Sequence, residues 1–209
     1  MSNSSLVVYT KLSPNYTKMD NKVNRKITIH HMAGNCSVET CGEIFAKPSR
    51  KASSNYGIGS DGRIALYVDE ANRSWCSSSR ANDEQAITIE VANCSGEPDW
   101  RISDKAYSAL LDLCEDICRR NGIKELVFTG DATGNFTQHN YFAATACPGP
   151  YLKSKYQEIA DEVNRRLGVK EEKILYRVQV GAFAKKENAQ KMLKKLQAQG
   201  YTDAFIKEG

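Results

Sequence analysis

Apolar and polar positions fall into blocks that predict alternating strands and helices. Lys26 to His31 is rich in β-branched residues and reads as a strand. Gln85 to Ala92 alternates strictly, with Ile87, Ile89 and Val91 on one face and Thr88, Glu90 and Ala92 on the other. Between them, Tyr56 to Ser60 and Arg63 to Val68 meet at Asp61-Gly62, a strong hairpin signal. The polar, small-residue stretch from Ala33 to Ser54 reads as loop with a short helix around Val38 to Phe45. Ser103 caps a helix running to about Asn121, with Ala106, Leu110, Leu111, Cys114, Ile117 and Cys118 as its apolar positions and Gly122 as its stop. Glu125 to Thr129 reads as a short strand, followed by a Gly- and Thr-rich loop carrying Asp131, Gly134 and His139. Tyr151 to Leu167 is a second helix, apolar at Tyr156, Ile159, Val163 and Leu167 and stopped by Gly168.

Beyond Lys170 the composition shifts. Ile174 to Gly181 reads as a strand, Lys185 to Gln199 as an amphipathic helix and Ala204 to Ile206 as another strand. A βαβ piece of about 40 residues is too small to fold reliably alone, so it must pack on the body, dimerise or belong to a longer domain. The pattern thus predicts an α/β body at 1–168 and an appendage at 169–209.

Charge sharpens this division. Of 29 Lys and Arg and 25 Asp and Glu, the segment from Lys170 to Gly209 holds nine basic and five acidic residues, so the body is neutral and the excess lies in the tail. That excess suits an anionic polymer as partner, or is simply a solvated Lys-rich helix face. No apolar run is long enough to span a bilayer, and nucleic acid is not an expected partner. The N-terminus lacks a basic region followed by a long apolar stretch, so no secretory signal is expected. Seven cysteines is an odd number. Cys114 and Cys118, one helical turn apart, read as core residues. Cys36 and Cys41 flank a short loop and pair only if the protein meets an oxidising space; without a signal the default is reduced thiols.

Three histidines carry the candidate chemistry. Two are adjacent, in ITIHHMAGN, and the third lies in TQHNYFAATACPGP, ahead of Cys147. A catalytic zinc takes three protein ligands and leaves a fourth position open, and two imidazoles with one thiolate meet that need. Neighbouring strand residues point to opposite faces, so His30 and His31 cannot both enter one site. His31 shares a face with Ile27 and Ile29, and His30 shares one with Thr28. The mixed face suits an open cleft, which favours His30. Glu90, in the apolar run ITIEVA, is either a solvated alternate-face residue or a buried functional carboxylate.

These segments resemble the type 2 N-acetylmuramoyl-L-alanine amidases, the family that includes phage endolysins and peptidoglycan recognition proteins. The resemblance covers roughly Lys26 to Leu167 and rests on ITIHH, NYGIGSDGRIALYV, RSWCSSS, ITIEVAN and the H-x7-CPGPYL block together. It implies a mixed central β-sheet flanked by helices, a zinc ion (Zn2+) held by His30, His139 and Cys147, and a catalytic role for Glu90. It also implies that Thr145, two residues before the last ligand, hydrogen-bonds the oxyanion. Many members carry a catalytic tyrosine at the position of Ser54; its absence here shifts the weight to Glu90. Trp75 and Asn93 flank the motif segments and are expected to line a groove for sugar or stem peptide, although Trp75 also suits simple core packing. Tyr56 and His31 complete the expected substrate-binding set. The tail, YRVQVGAFAKKENAQKMLKKL, is similar to one half of a SPOR repeat, which makes docking or homodimerisation through an exposed sheet edge an expectation.

The implied reaction is hydrolysis of the amide between N-acetylmuramic acid and L-alanine of peptidoglycan. The implied setting is a protein made in the cytoplasm that reaches the cell wall after phage-type release or by non-classical export, in lysis or wall remodelling. Two rivals stand beside it. One is a non-catalytic peptidoglycan-binding module, against which Cys147 argues. The other is a cysteine hydrolase with Cys147 as nucleophile and His139 as base, which leaves His30 and Glu90 without a role.

Overall fold

The structure is a computed structural model that describes residues 3–169 and 178–208. The chain divides into two compact units, Met1–Lys170 and Glu171–Gly209. The first contains strands β1 (Tyr9–Thr10), β2 (Tyr16–Thr17), β3 (Lys26–His31), β4 (Tyr56–Ile58), β5 (Ile64–Leu66), β6 (Arg73–Ser74), β7 (Ala86–Val91) and β8 (Phe136–Gln138). Its helices are α1 (Val38–Phe45), α2 (Arg80–Asp83), α3 (Asp104–Asn121) and α4 (Pro150–Leu167). Six strands form one mixed sheet in the order β1-β5-β4-β7-β3-β8. Only the β4–β5 hairpin is antiparallel within it. Strands β2 and β6 pair separately.

Strand alternation divides the sheet into two covered faces. Ile27, Ile29, Ile87, Ile89 and Val91 join Tyr56, Ile58, Ile64 and Leu66 in the main core, which also contains the apolar sides of α3 and α4. Ala65 and Tyr67, one residue out of phase with Ile64 and Leu66, instead pack with Val38, Cys41 and Phe45 of α1. Local signals set the helix ends as expected. The Ser37 and Ser103 side chains accept from the backbone N–H of Thr40 and Ala106, and Gly122 ends α3 at φ 68°.

Two expectations for the body are corrected. Glu125 to Thr129 joins no strand ladder. Side-chain amides take over its backbone groups: Asn164 accepts from Leu126 N–H and donates to Leu126 O, and Asn135 accepts from Val127 N–H. The sheet edge beside β3 is taken by β8, a three-residue strand inside the stretch that reads as loop. All seven cysteines are free, so Cys36 and Cys41 form no bridge.

In the second unit the expected helix is present as α5 (Lys186–Ala198). Residues 174–177 of the first expected tail strand lie outside the described residues, 178–181 form no strand, and neither do Ala204 to Ile206. A sheet of two short strands is marginal in water, and Val178, Val180 and Phe205 remain exposed instead of covering one.

A buried polar knot ties α3 to the sheet. Glu70, 1% exposed, accepts from Tyr56 Oη at 2.5 Å, from both Nη atoms of Arg120 at 2.9 and 2.6 Å, and from Asn121 Nδ2 at 3.0 Å. Removing the guanidinium leaves the buried carboxylate without its ion-pair partner, held only by the Tyr56 and Asn121 hydrogen bonds. Arg120→Ala is therefore expected to cost about 3–5 kcal/mol of stability, measured by denaturant unfolding; a loss under about 1 kcal/mol, the range of an exposed pair, would contradict this.

Candidate metal centre

The site is assembled by strand register. Strands β3 and β7 are parallel, with Ile29 opposite Ile89 and His30 opposite Glu90. Successive residues alternate faces, so the two isoleucines enter the main core while His30 and Glu90 project together on the other side. Gly57 sits across from Glu90 on the far flank. On the near flank β8 pairs with β3 through Ile29 and Gln138, so the next residue, His139, emerges beside His30 at the start of a single tight helical turn. The two imidazole centroids are 4.5 Å apart. Cys147, just ahead of α4, brings its Sγ to 3.7 Å from His30 Nδ1, and the thiol accepts from His31 N–H at 3.4 Å.

Ligand atoms of His30, His139 and Cys147 all lie within 4.8 Å of one another. Burial, reinforced by His139 and His31, holds the His30 imidazole well below its usual range. Burial also lowers His139, against the opposing pull of Asp83. Burial, and then Glu90, pushes the Cys147 thiol up. Burial pushes the Glu90 carboxyl up to about 8, against Arg50 and the Cys76 thiol, which favour its charged form. His30 Nε2, His139 Nε2 and Glu90 Oε2 are buried with no hydrogen-bond partner. Unsatisfied polar atoms rarely collect at one spot in a native interior. Two neutral imidazoles and a thiol beside them are the donor set of a thiophilic divalent cation, whose charge would also favour the thiolate. The residues therefore fit such an ion.

The same geometry disfavours a cysteine nucleophile. Reactive cysteines have lowered pKa values, whereas burial pushes this thiol up. Its hydrogen-bonding ring nitrogen is His30 Nδ1 at 3.7 Å, rather than the His139 that the cysteine-hydrolase alternative requires.

The remaining expected site residues separate. Thr145 is half-buried, and its Oγ1 accepts from Cys147 N–H at 3.2 Å. Trp75 walls a cleft of about 460 Å3 that also touches Arg50, Cys76, Glu90 and His139, and its Nε1 donates to Thr17 Oγ1 at 2.9 Å. His31 lies outside the cluster, its ring edge-on to Trp100 at 5.5 Å; it hydrogen-bonds the Cys147 sulfur through its backbone N–H, and its ring acts on His30 only through charge. Tyr56 is corrected: it is fully buried, in register with Ile89 rather than Glu90, so its ring enters the core face and cannot line the cleft. Asn93 is corrected as well. It is fully buried and braces two loops, donating to Trp100 O at 2.7 Å and accepting from Gly34 N–H at 3.3 Å. Ser54, at the position of the missing tyrosine, is buried and donates to Tyr56 O.

Sequence reasoning missed two residues here. Asp83, in α2, accepts from Ser77 Oγ at 2.5 Å and from the Cys76 and Ser77 N–H groups, and its charge acts on His139. Cys76 places its Sγ 3.9 Å from Glu90 Oε1. The only signal for Cys76 was its place beside Trp75 in RSWCSSS.

Residues 19–150 match the family described as N-acetylmuramoyl-L-alanine amidase, and residues 155–209 match the SPOR domain. The second match begins inside α4, whose Tyr156, Ile159, Ala160 and Val163 belong to the core of the first unit. Among solved structures, selenomethionine AmpD aligns with a TM-score of 0.58 at 18% identity, covering 77% of this chain and 99% of that one. The Staphylococcus aureus hydrolase AmiA, in complex with its ligand, aligns with a TM-score of 0.58 at 16% identity, covering 79% and 91%. The endolysin amidase LysCS of Clostridium intestinale URNW aligns with a TM-score of 0.53 at 19% identity, covering 78% and 94%. At such identities the likeness speaks to the fold. Comparison with curated proteins by sequence gave no match.

Replacing His30 or His139 by Ala, or Cys147 by Ser, is expected to weaken binding of a thiophilic divalent cation more than ~100-fold, whereas His31→Ala, which keeps the backbone N–H, stays within ~10-fold. Competition with a chromophoric chelator measures both. Loss of the ion in the His31 variant alone would overturn the assignment.

Proposed function

The chain belongs to the N-acetylmuramoyl-L-alanine amidase family, and we propose that it cleaves the amide between N-acetylmuramic acid and L-alanine with a zinc ion held by His30, His139 and Cys147. The observation that carries this reading is the cluster of three ligand atoms within 4.8 Å, set beside the unpartnered Glu90 carboxylate oxygen. Zinc, when bound, supplies Lewis-acid polarisation of the scissile carbonyl and of water.

The chain's own residues supply the rest. Glu90, desolvated at the cleft wall, is the one carboxylate paired in register with a ligand. A carboxyl pushed up to about 8 is matched to taking a proton from the attacking water and handing it to the departing amine. The Thr145 oxygen accepts from the Cys147 backbone, which orients the side chain and leaves its hydroxyl proton to donate to the developing oxyanion. The His31 N–H steadies the Cys147 sulfur. Trp75 offers an aromatic wall to sugar or stem peptide.

We further propose residues 1–168 as the catalytic domain and 169–209 as a partial SPOR-like segment; the division of the chain after Lys170 supports the boundary, and the SPOR match, which starts earlier at residue 155, supports the segment's kinship. No helix among the described residues is long and apolar enough to cross a membrane. Action on the cell wall, in lysis or remodelling, is the setting that fits the substrate.

Mass spectrometry of digested peptidoglycan tests the bond. New L-alanine N-termini are expected, and new reducing sugar ends in their place would refute the reading. Glu90→Gln is expected to lower kcat by about 10²–10⁴-fold while zinc is retained. Unchanged turnover in that zinc-loaded variant would remove Glu90 from the chemistry.

A further inference from the structure

Cys76 has no part in the mechanism above, yet it lies in the same cleft. It follows β6 and is half-buried, with its Sγ 3.9 Å from Glu90 Oε1. Glu90 Oε2 and His30 Nε2 are both buried without partners, and His30 is 1% exposed. Ligand atoms of His30, Cys76 and Glu90 fall within 4.8 Å of one another, a second triad that shares only His30 with the first. A thiolate, a carboxylate and an imidazole are each ordinary zinc ligands.

We propose that Cys76 and Glu90 form a second, weaker site for a thiophilic divalent cation, beside the ion held by His139 and Cys147 with His30 between them, and that filling it switches the enzyme off. The two sites compete for electrostatic room. An ion in the first repels an ion in the second, and the Arg50 charge that acts on Glu90 adds to that repulsion. Asp83, whose charge acts on Cys76, works in the opposite direction. The second ion therefore binds only when the metal is in excess. Its binding releases to buffer the Cys76 S–H proton and any proton on Glu90, in exchange for sulfur–metal and oxygen–metal bonds, while His30 stays a neutral ligand of the first ion alone, with no change of oxidation state. A coordinated Glu90 can no longer accept a proton from water.

The test uses the full chain loaded with one equivalent of zinc and dialysed against rising zinc, and separately cadmium, with bound metal counted by elemental mass spectrometry. The wild type is expected to take up a second equivalent, with proton release and loss of activity in step. Cys76→Ser and Glu90→Gln are expected to keep the first equivalent and take up no second at the same free metal. Saturation of the wild type at one equivalent would overturn the proposal while leaving the zinc amidase intact. Undiminished second uptake by both variants would also overturn it. A wild-type chain that holds no zinc would overturn both readings together.

Discussion

The in-register pairing of the parallel strands β3 and β7 is the constraint on which the site depends. One register fixes two outcomes. Ile29 beside Ile89 closes the core, and His30 beside Glu90 opens the chemistry. A slip of one residue would carry the polar pair into the core and the isoleucines into the cleft. Gly57 continues the row, and a Cβ there would lie 2.4 Å from the Tyr67 ring. That ring covers the strand because position 57 has no side chain.

The rest of the fold makes this arrangement tolerable. A sheet covered on both faces can hold a small region where imidazoles stay neutral, a thiol is pushed up and a carboxylate oxygen goes unpartnered. Such a region costs free energy without an ion, and the two apolar clusters offset it. Cation binding then gains from groups already in place, with little reorganisation left to perform.

Much of this was legible in the residues. Strand β3 and helix α1 have the expected bounds, because β-branched content, a Ser cap and flanking polar loops all agree there. Alternation alone favoured His30 over His31, and the structure brings His30 into the cluster. Tyr56 is misplaced because the face a residue occupies follows from register, which one strand's pattern does not contain, and Asn93 because it lies beyond β7, where packing between two loops decides its place. Strand β8 is three residues long, too short for any periodicity. The stretch Glu125 to Thr129 reads as extended, but the Asn164 and Asn135 side chains, with the Asn135 and Phe136 N–H groups on Val127 O, take up its backbone. Cys76, lone in a serine-rich run, acquires meaning only once β7 sets Glu90 beside it.

X-ray absorption at the zinc edge, on protein holding one equivalent, tests the ligand assignment most directly. Imidazole nitrogens at about 2.0–2.1 Å and one sulfur at about 2.3 Å are expected, with the sulfur lost in Cys147→Ser. A shell of nitrogen and oxygen alone in the wild type, or a sulfur that survives that substitution, would contradict it.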